Sequence, residues 1–270
     1  MRLGETVSLS LPLSRQQMEH RLSYHHAPDH PLRPPPSAGD YLGFEVHQPE
    51  LTHLDCVSHI GSHEGLVYNG RAFDAVATEA GLVYGSIYAQ RGGVLSRGVL
   101  LDVAAALGVD WLEPMHPISI SDLEAAEELA GVRVSSGDVV VVRAGIEARK
   151  AVNGFTPFSP GPAPECIEWL HQRGVAIYTG DAAERLTAAG ARILGLLSSD
   201  AVGSDEAGRD GSETTRFPLP LHQIGIPAMG LSCSTTASWR AWHSNVGLSG
   251  VTRSCSSRRP LLSGGAPAPR

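Results

Sequence analysis

Apolar positions fall into short runs punctuated by glycine, proline and serine, and the period of the pattern changes along the chain. SRGVLLDVAAALG, residues 96–108, reads as a brief apolar strand turning into an Ala-rich segment. In SISDLEAAEELAG, Ser121 followed three residues later by Glu124 predicts a helix start, where hydroxyl and carboxylate satisfy free backbone donors. Gly131 supplies the stop. A turn at Ser136 to Asp138 then leads into four valines, whose branching at Cβ favours a buried strand. PECIEWLHQRG, residues 164–174, repeats the helix grammar with proline near the start and glycine at the end. VAIYTGD follows as another buried strand ending at Asp181. Strands and helices alternate, so the expected class is α/β, or mixed α and β.

The pattern weakens towards both ends. HRLSYHHAPDHPLRPPPSAGD, residues 20–40, is too rich in proline for a long helix, because proline removes a donor and restricts its neighbour. Its histidines, His20, His25, His26 and His30, have no fixed geometry between them and read as polar residues of an extended arm. From Leu42 to Gly70 the chain reads as short strands and turns. Residues 187–215 open with a small apolar patch and continue Gly-, Ser- and Asp-rich, the composition of a loop insertion. After Gly230 no period persists. The expected division is an arm over 1–40, a catalytic domain over 41–230 carrying the 187–215 insertion, and an atypical tail over 231–270.

Composition narrows the function. A chain of 270 residues with 42% hydrophobic content can bury one sizeable core. The formal charge of −7 and the pI near 5.9 exclude a general polyanion binder, so no nucleic-acid partner is expected. No apolar run approaches the roughly 18–20 residues that cross a bilayer, and the first residues lack a secretory pattern, so a soluble cytoplasmic protein without a membrane partner is expected. Cys56, Cys166, Cys233 and Cys255 show no CxxC spacing and read as reduced packing residues.

The candidate chemistry sits in THLDCVSH, residues 52–59, a few residues after His47. On a strand, residues i and i+2 face the same way, so His53 and Asp55 would present a ring nitrogen and a carboxylate to one point. His59 could reach that point from the following loop. Spacing alone leaves two readings open: scattered polar residues, or the first half of a metal site that keeps a position for solvent. Asn69-Gly70 reads as a turn that leaves Tyr68 near any pocket, Trp111 and Trp169 as packing residues, and Asp181 as a structural hydrogen-bond acceptor.

THLDCVSH, GLVYNGR, RGVLLDVA, SDLEAA, SSGDVVVVRAG, ECIEWL and FPLPLHQIGIPAMG, in this order from about Gly43 to Gly230, resemble the cyclase family that includes kynurenine formamidase and isatin hydrolase. The resemblance implies a swivelling β/β/α-type fold and a hydrolase dependent on a divalent metal, Zn or Mn, often a homo-oligomer. It implies a small-molecule amide substrate, a formamide or cyclic amide, with an arylformamidase role in tryptophan catabolism. His53, Asp55 and His222 would hold the metal, and His59 would be the general acid/base. Two departures stand out. The family's first histidine falls at Pro49, with His47 two positions earlier as its substitute, and the family's later carboxylate falls near Ser234 or Thr235, although no Asp or Glu follows Glu213. A catalytically impaired member without a complete metal site is the alternative reading. Permitted codons read one base back from Leu231 can spell Glu-Leu-Leu-Asp-Asn-Cys-Glu-Leu-Glu, and in GGAPAP the same shift can spell Gly-Thr-Gly-Ser-Pro, which resembles the family's C-terminal motif. A frameshift near codon 231 would account for both the tail and the absent carboxylate.

Overall fold

Five strands build the sheet that carries the candidate site, in the order His53–Leu54, Ser232–Thr235, Ile177–Gly180, Val139–Arg143 and Gly98–Asp102. All neighbours run parallel except His53–Leu54, which is antiparallel to Ser232–Thr235. This computed structural model describes residues 8–14, 18–30, 32, 34–48, 51–196 and 217–235. The fold is α/β, as the alternating pattern predicts.

The valine run forms the middle of the parallel part because both of its faces are covered, which suits a continuous apolar stretch rather than an alternating one. The register lines up Val99, Val140, Tyr178 and Cys233 across four adjacent strands, each at most 1% exposed. Burying a Val or Leu side chain contributes about 1.5–3 kcal/mol, so this row is a principal source of stability. Tyr178 satisfies its hydroxyl by donating to the Ala182 carbonyl at 2.8 Å. Gly180 closes its strand at φ 143°, and a Cβ there would stand 1.9 Å from the Val142 carbonyl oxygen, so no other residue fits.

Two helices add further residues to the core. Ile120–Ala130 buries Leu123 and Ala126, and Glu165–Gln172 buries Cys166, Ile167, Trp169 and Leu170. Glu127, 6% exposed, joins them by accepting from the Val134 backbone at 2.6 Å and from Arg173 Nη1 at 2.9 Å. The first of these helices starts earlier than the sequence predicts. Its cap is Ser119, which accepts from the Asp122 backbone while Asp122 accepts from the Ser119 backbone. The Ser121/Glu124 box does not form because Ser121 already lies inside the first turn, immediately after the strand that ends at Ile118. Gly131 ends the helix in the left-handed conformation, as expected.

The His- and Pro-rich arm contains an antiparallel hairpin, Glu19–His25 with Ser37–Gly43, seven residue pairs long. Within residues 187–215, Ala188–Ile193 form a helix that buries Gly190 and Ala191, while 197–216 lie outside the described residues. Of the tail, Leu231 is 2% exposed and Ser232–Thr235 is a strand of the main sheet. Residues 236–270, including Cys255 and the codon-level pattern in GGAPAP, lie outside the described residues.

Candidate metal centre

The pairing of His53–Leu54 with Ser234 and Thr235 fixes the first two functional side chains. The ladder continues one step further, with the Asp55 backbone donating to the Cys233 carbonyl at 2.7 Å, so His53 and Asp55 stay in strand geometry and point to the same side. A turn closed by the His59 backbone donating to the Cys56 carbonyl at 3.0 Å then brings His59 back over them. His47 arrives from the preceding segment, and His222 from the wide helical turn Leu221–Gly225.

The four histidines named from the sequence converge on the fifth side chain, the Asp55 carboxylate. Asp55 Oδ1 lies 3.3 Å from His47 Nε2, 3.5 Å from His53 Nε2 and 3.8 Å from His59 Nε2, and Asp55 Oδ2 lies 3.4 Å from His222 Nε2. The rings enclose it closely. His47 stacks on His59 with centroids 4.2 Å apart and planes 12° apart, and meets His53 edge-on at 5.1 Å. Ligand atoms of His47, His53 and Asp55 all lie within 4.8 Å of one another.

Asp55 is 1% exposed, yet neither carboxylate oxygen accepts an aligned hydrogen bond among the described residues. A buried carboxylate in that condition is costly unless positive charge stands beside it. Imidazole nitrogens directed at it, with a second face still open to solvent through His59 and His47, are the donor set of a divalent cation with a free coordination position. The residues therefore fit a metal. Those able to hold it are Asp55, His53, His222 and His47, and His47 is the most exposed of the four.

The ring protons of His53 and His222 are constrained from outside the centre. His53 Nδ1 donates to the Leu51 carbonyl at 2.7 Å, leaving Nε2 to face Asp55. His222 Nδ1 lies 2.6 Å from Glu184 Oε2. Burial pushes the His222 pKa down, but contact with Asp55 and Glu184 outweighs it and raises the ring to about 10. Burial also dominates at His59, and with the neighbouring His47, His222 and His53 rings it lowers the pKa to about 4 against the pull of Asp55. Burial would raise Asp55, but His222, His59 and His53 together hold it below its ordinary value.

Glu184 is absent from the sequence reading. It is 6% exposed and lies 38 residues before His222, so no spacing rule joins the two. The remaining candidates serve the scaffold. Asn69 takes a left-handed φ of 65° in its turn and donates to the Tyr84 hydroxyl, and Tyr68 lies against Gly230. Trp169 is buried beneath Arg173, Trp111 donates to Glu113, and Asp181 accepts from the backbones of Ala144, Gly145 and Ile146. Of the arm's histidines, His20 pairs with Asp40 at 2.6 Å within the hairpin. Ser234 and Thr235 pair with Leu54 and His53 beside the centre.

The Cyclase family model matches residues 7–184, about two thirds of the chain, and the protein belongs to that family. Among solved structures, one described as a novel cyclase is similar over 89% of this chain and 77% of its own, with 21% identity and a TM-score of 0.66. Isatin hydrolase A from Labrenzia aggregata matches over 87% of this chain and 79% of its own, at 19% identity and a TM-score of 0.46. A predicted metal-dependent hydrolase from Bacillus stearothermophilus matches over 87% and 83%, at 10% identity and a TM-score of 0.43. No curated protein matches the sequence. No helix among the described residues is long and apolar enough to cross a membrane.

Proposed function

We propose that the chain is a metal-dependent hydrolase of a C–N bond in a formamide or cyclic amide, arylformamidase-like and acting in tryptophan catabolism, with Zn or Mn as its metal. The observation that carries this reading is the buried Asp55 carboxylate, without an aligned hydrogen bond among the described residues and ringed by four imidazole nitrogens at 3.3–3.8 Å. A bound divalent cation supplies a Lewis acid for the carbonyl and lowers the pKa of water. The chain supplies the rest. His53, His47, Asp55 and His222 fix the position, and the Nδ1 bond of His53 to Leu51 keeps its ring from turning. His59, 27% exposed and held neutral, keeps a lone pair on Nε2 that takes the proton of the attacking water as its oxygen joins the carbonyl carbon. The same proton then passes to the nitrogen as the C–N bond breaks. Assembly as a homo-oligomer belongs to the same proposal, and sedimentation velocity tests it.

Turnover of N-formylkynurenine, other formamides and lactams by Zn- or Mn-loaded protein tests the reading. Activity is expected in the wild type and absent in His59→Ala, with metal still bound. A loaded wild type that turns over none of these amides removes the hydrolase. The alternative, an impaired member, draws on Ser234 and Thr235 standing where the family has a carboxylate. It predicts that the wild type retains neither metal nor turnover.

A further inference from the structure

Glu184 follows the strand Ile177–Gly180 and spends both carboxylate oxygens on one short segment. Oε1 accepts from the Leu221 backbone at 3.0 Å, and Oε2 accepts from the His222 backbone at 3.1 Å while lying 2.6 Å from His222 Nδ1. The opposite ring nitrogen, Nε2, is 3.4 Å from Asp55 Oδ2. An ionised carboxylate is an acceptor only, so the proton between Glu184 and the ring belongs on Nδ1. Once the second ring proton, on Nε2, is given up, as binding a cation there would require, the lone pair points inwards. We infer that Glu184 is a positioning residue for His222, holding the ring's proton on Nδ1 and its orientation fixed so that Nε2 is presented to the metal centre beside Asp55.

The inference rests on the metal-site reading and concerns how that site is kept in order. An outer carboxylate of this kind tunes both tautomer and ring angle, and losing one typically weakens metal binding 10–100-fold. Glu184→Gln is the informative change. The amide oxygen can still accept from Leu221, but the amide nitrogen offers Nδ1 a donor. That favours the tautomer with the proton on Nε2, aimed at the centre. A purely structural role would alter the thermal midpoint and leave the tautomer untouched.

Zinc titration calorimetry on wild type, His53→Ala and Glu184→Gln, with thermal melting of each metal-free protein, separates the possibilities. Expected are zinc binding by the wild type that His53→Ala abolishes, and binding weakened 10–100-fold in a folded Glu184→Gln. Wild-type affinity in a folded Glu184→Gln overturns the positioning role. Equal zinc binding by wild type and His53→Ala overturns the metal-site reading itself, whatever Glu184 does. The 15N imidazole spectrum of zinc-loaded wild type decides the matter even if Glu184→Gln fails to fold: the His222 proton is expected on Nδ1, and a proton on Nε2 overturns the inference.

Discussion

At the scale of single residues, the centre is defined by a carboxylate whose burial makes sense only with positive charge beside it. Asp55→Asn keeps the volume and removes the charge, so zinc binding measured by calorimetry is expected to fall below detection while the circular dichroism spectrum is retained. A second buried carboxylate behaves differently because its partner is built in. Asp138 accepts from Arg97 Nε at 2.8 Å and Nη2 at 2.5 Å and from the Ser135 backbone at 2.7 Å. The Arg97 contact holds its pKa below the ordinary value of 3.8 against the opposing effect of burial. A depressed carboxylate pKa contributes stability that is present above the unfolded value and lost as pH falls through the folded one. Asp138→Asn should therefore cost about 1–3 kcal/mol at pH 7, and urea titrations of wild type and variant should converge as pH falls through the folded-state pKa, which lies below 3.8. A gap that persists in acid would exclude the ion pair as its source.

At the scale of elements, the helix start at Ser119 and the strand end at Gly180 are the two places where one atom decides the backbone. Ser119→Ala removes the cap and should cost about 1 kcal/mol, whereas Ser121→Ala, inside the first turn, should stay within about 0.5 kcal/mol. Equal losses in urea melts would show that both hydroxyls share the cap, through their 2.8 Å contact. Gly180→Ala sets a Cβ against the Val142 carbonyl in a backbone conformation that side chains avoid. A loss of more than about 3 kcal/mol is expected, with the sheet and the neighbouring Asp181 both displaced. The sequence marked the helix over SISDLEAAEELAG and its Gly131 stop correctly, and missed the cap by two residues. Ser119 and Ser121 both satisfy the local rule, and only the end of the preceding strand chooses between them.

At the scale of the molecule, the centre depends on a strand from far along the chain. Among the described residues, His53 and Asp55 join the sheet through Ser232–Thr235, which the pattern after Gly230 gave no reason to expect as core. Leu231 seats that strand, and Leu231→Ala should lower stability by about 2–5 kcal/mol and weaken zinc binding along with it. Unchanged zinc affinity in a destabilised variant would uncouple the strand from the site. The gene's nucleotide sequence around codon 231 bears on the same segment: codons that do not spell Asp-Asn-Cys-Glu in the neighbouring frame remove the frameshift.

By itself the sequence determined the alternation of strands and helices and the placing of His53, Asp55 and His59 within one short segment. Those features are set by spacing within a few residues, where backbone geometry alone fixes which side chains share a face. His222 and His47 entered through resemblance, and their convergence on Asp55 is a fact of the fold. Glu184 and the pairing of Thr235 with His53 were decided by tertiary structure alone. Both join residues dozens or hundreds of positions apart, and the contacts that unite them are made by the packing of the sheet and carry no periodic trace along the chain.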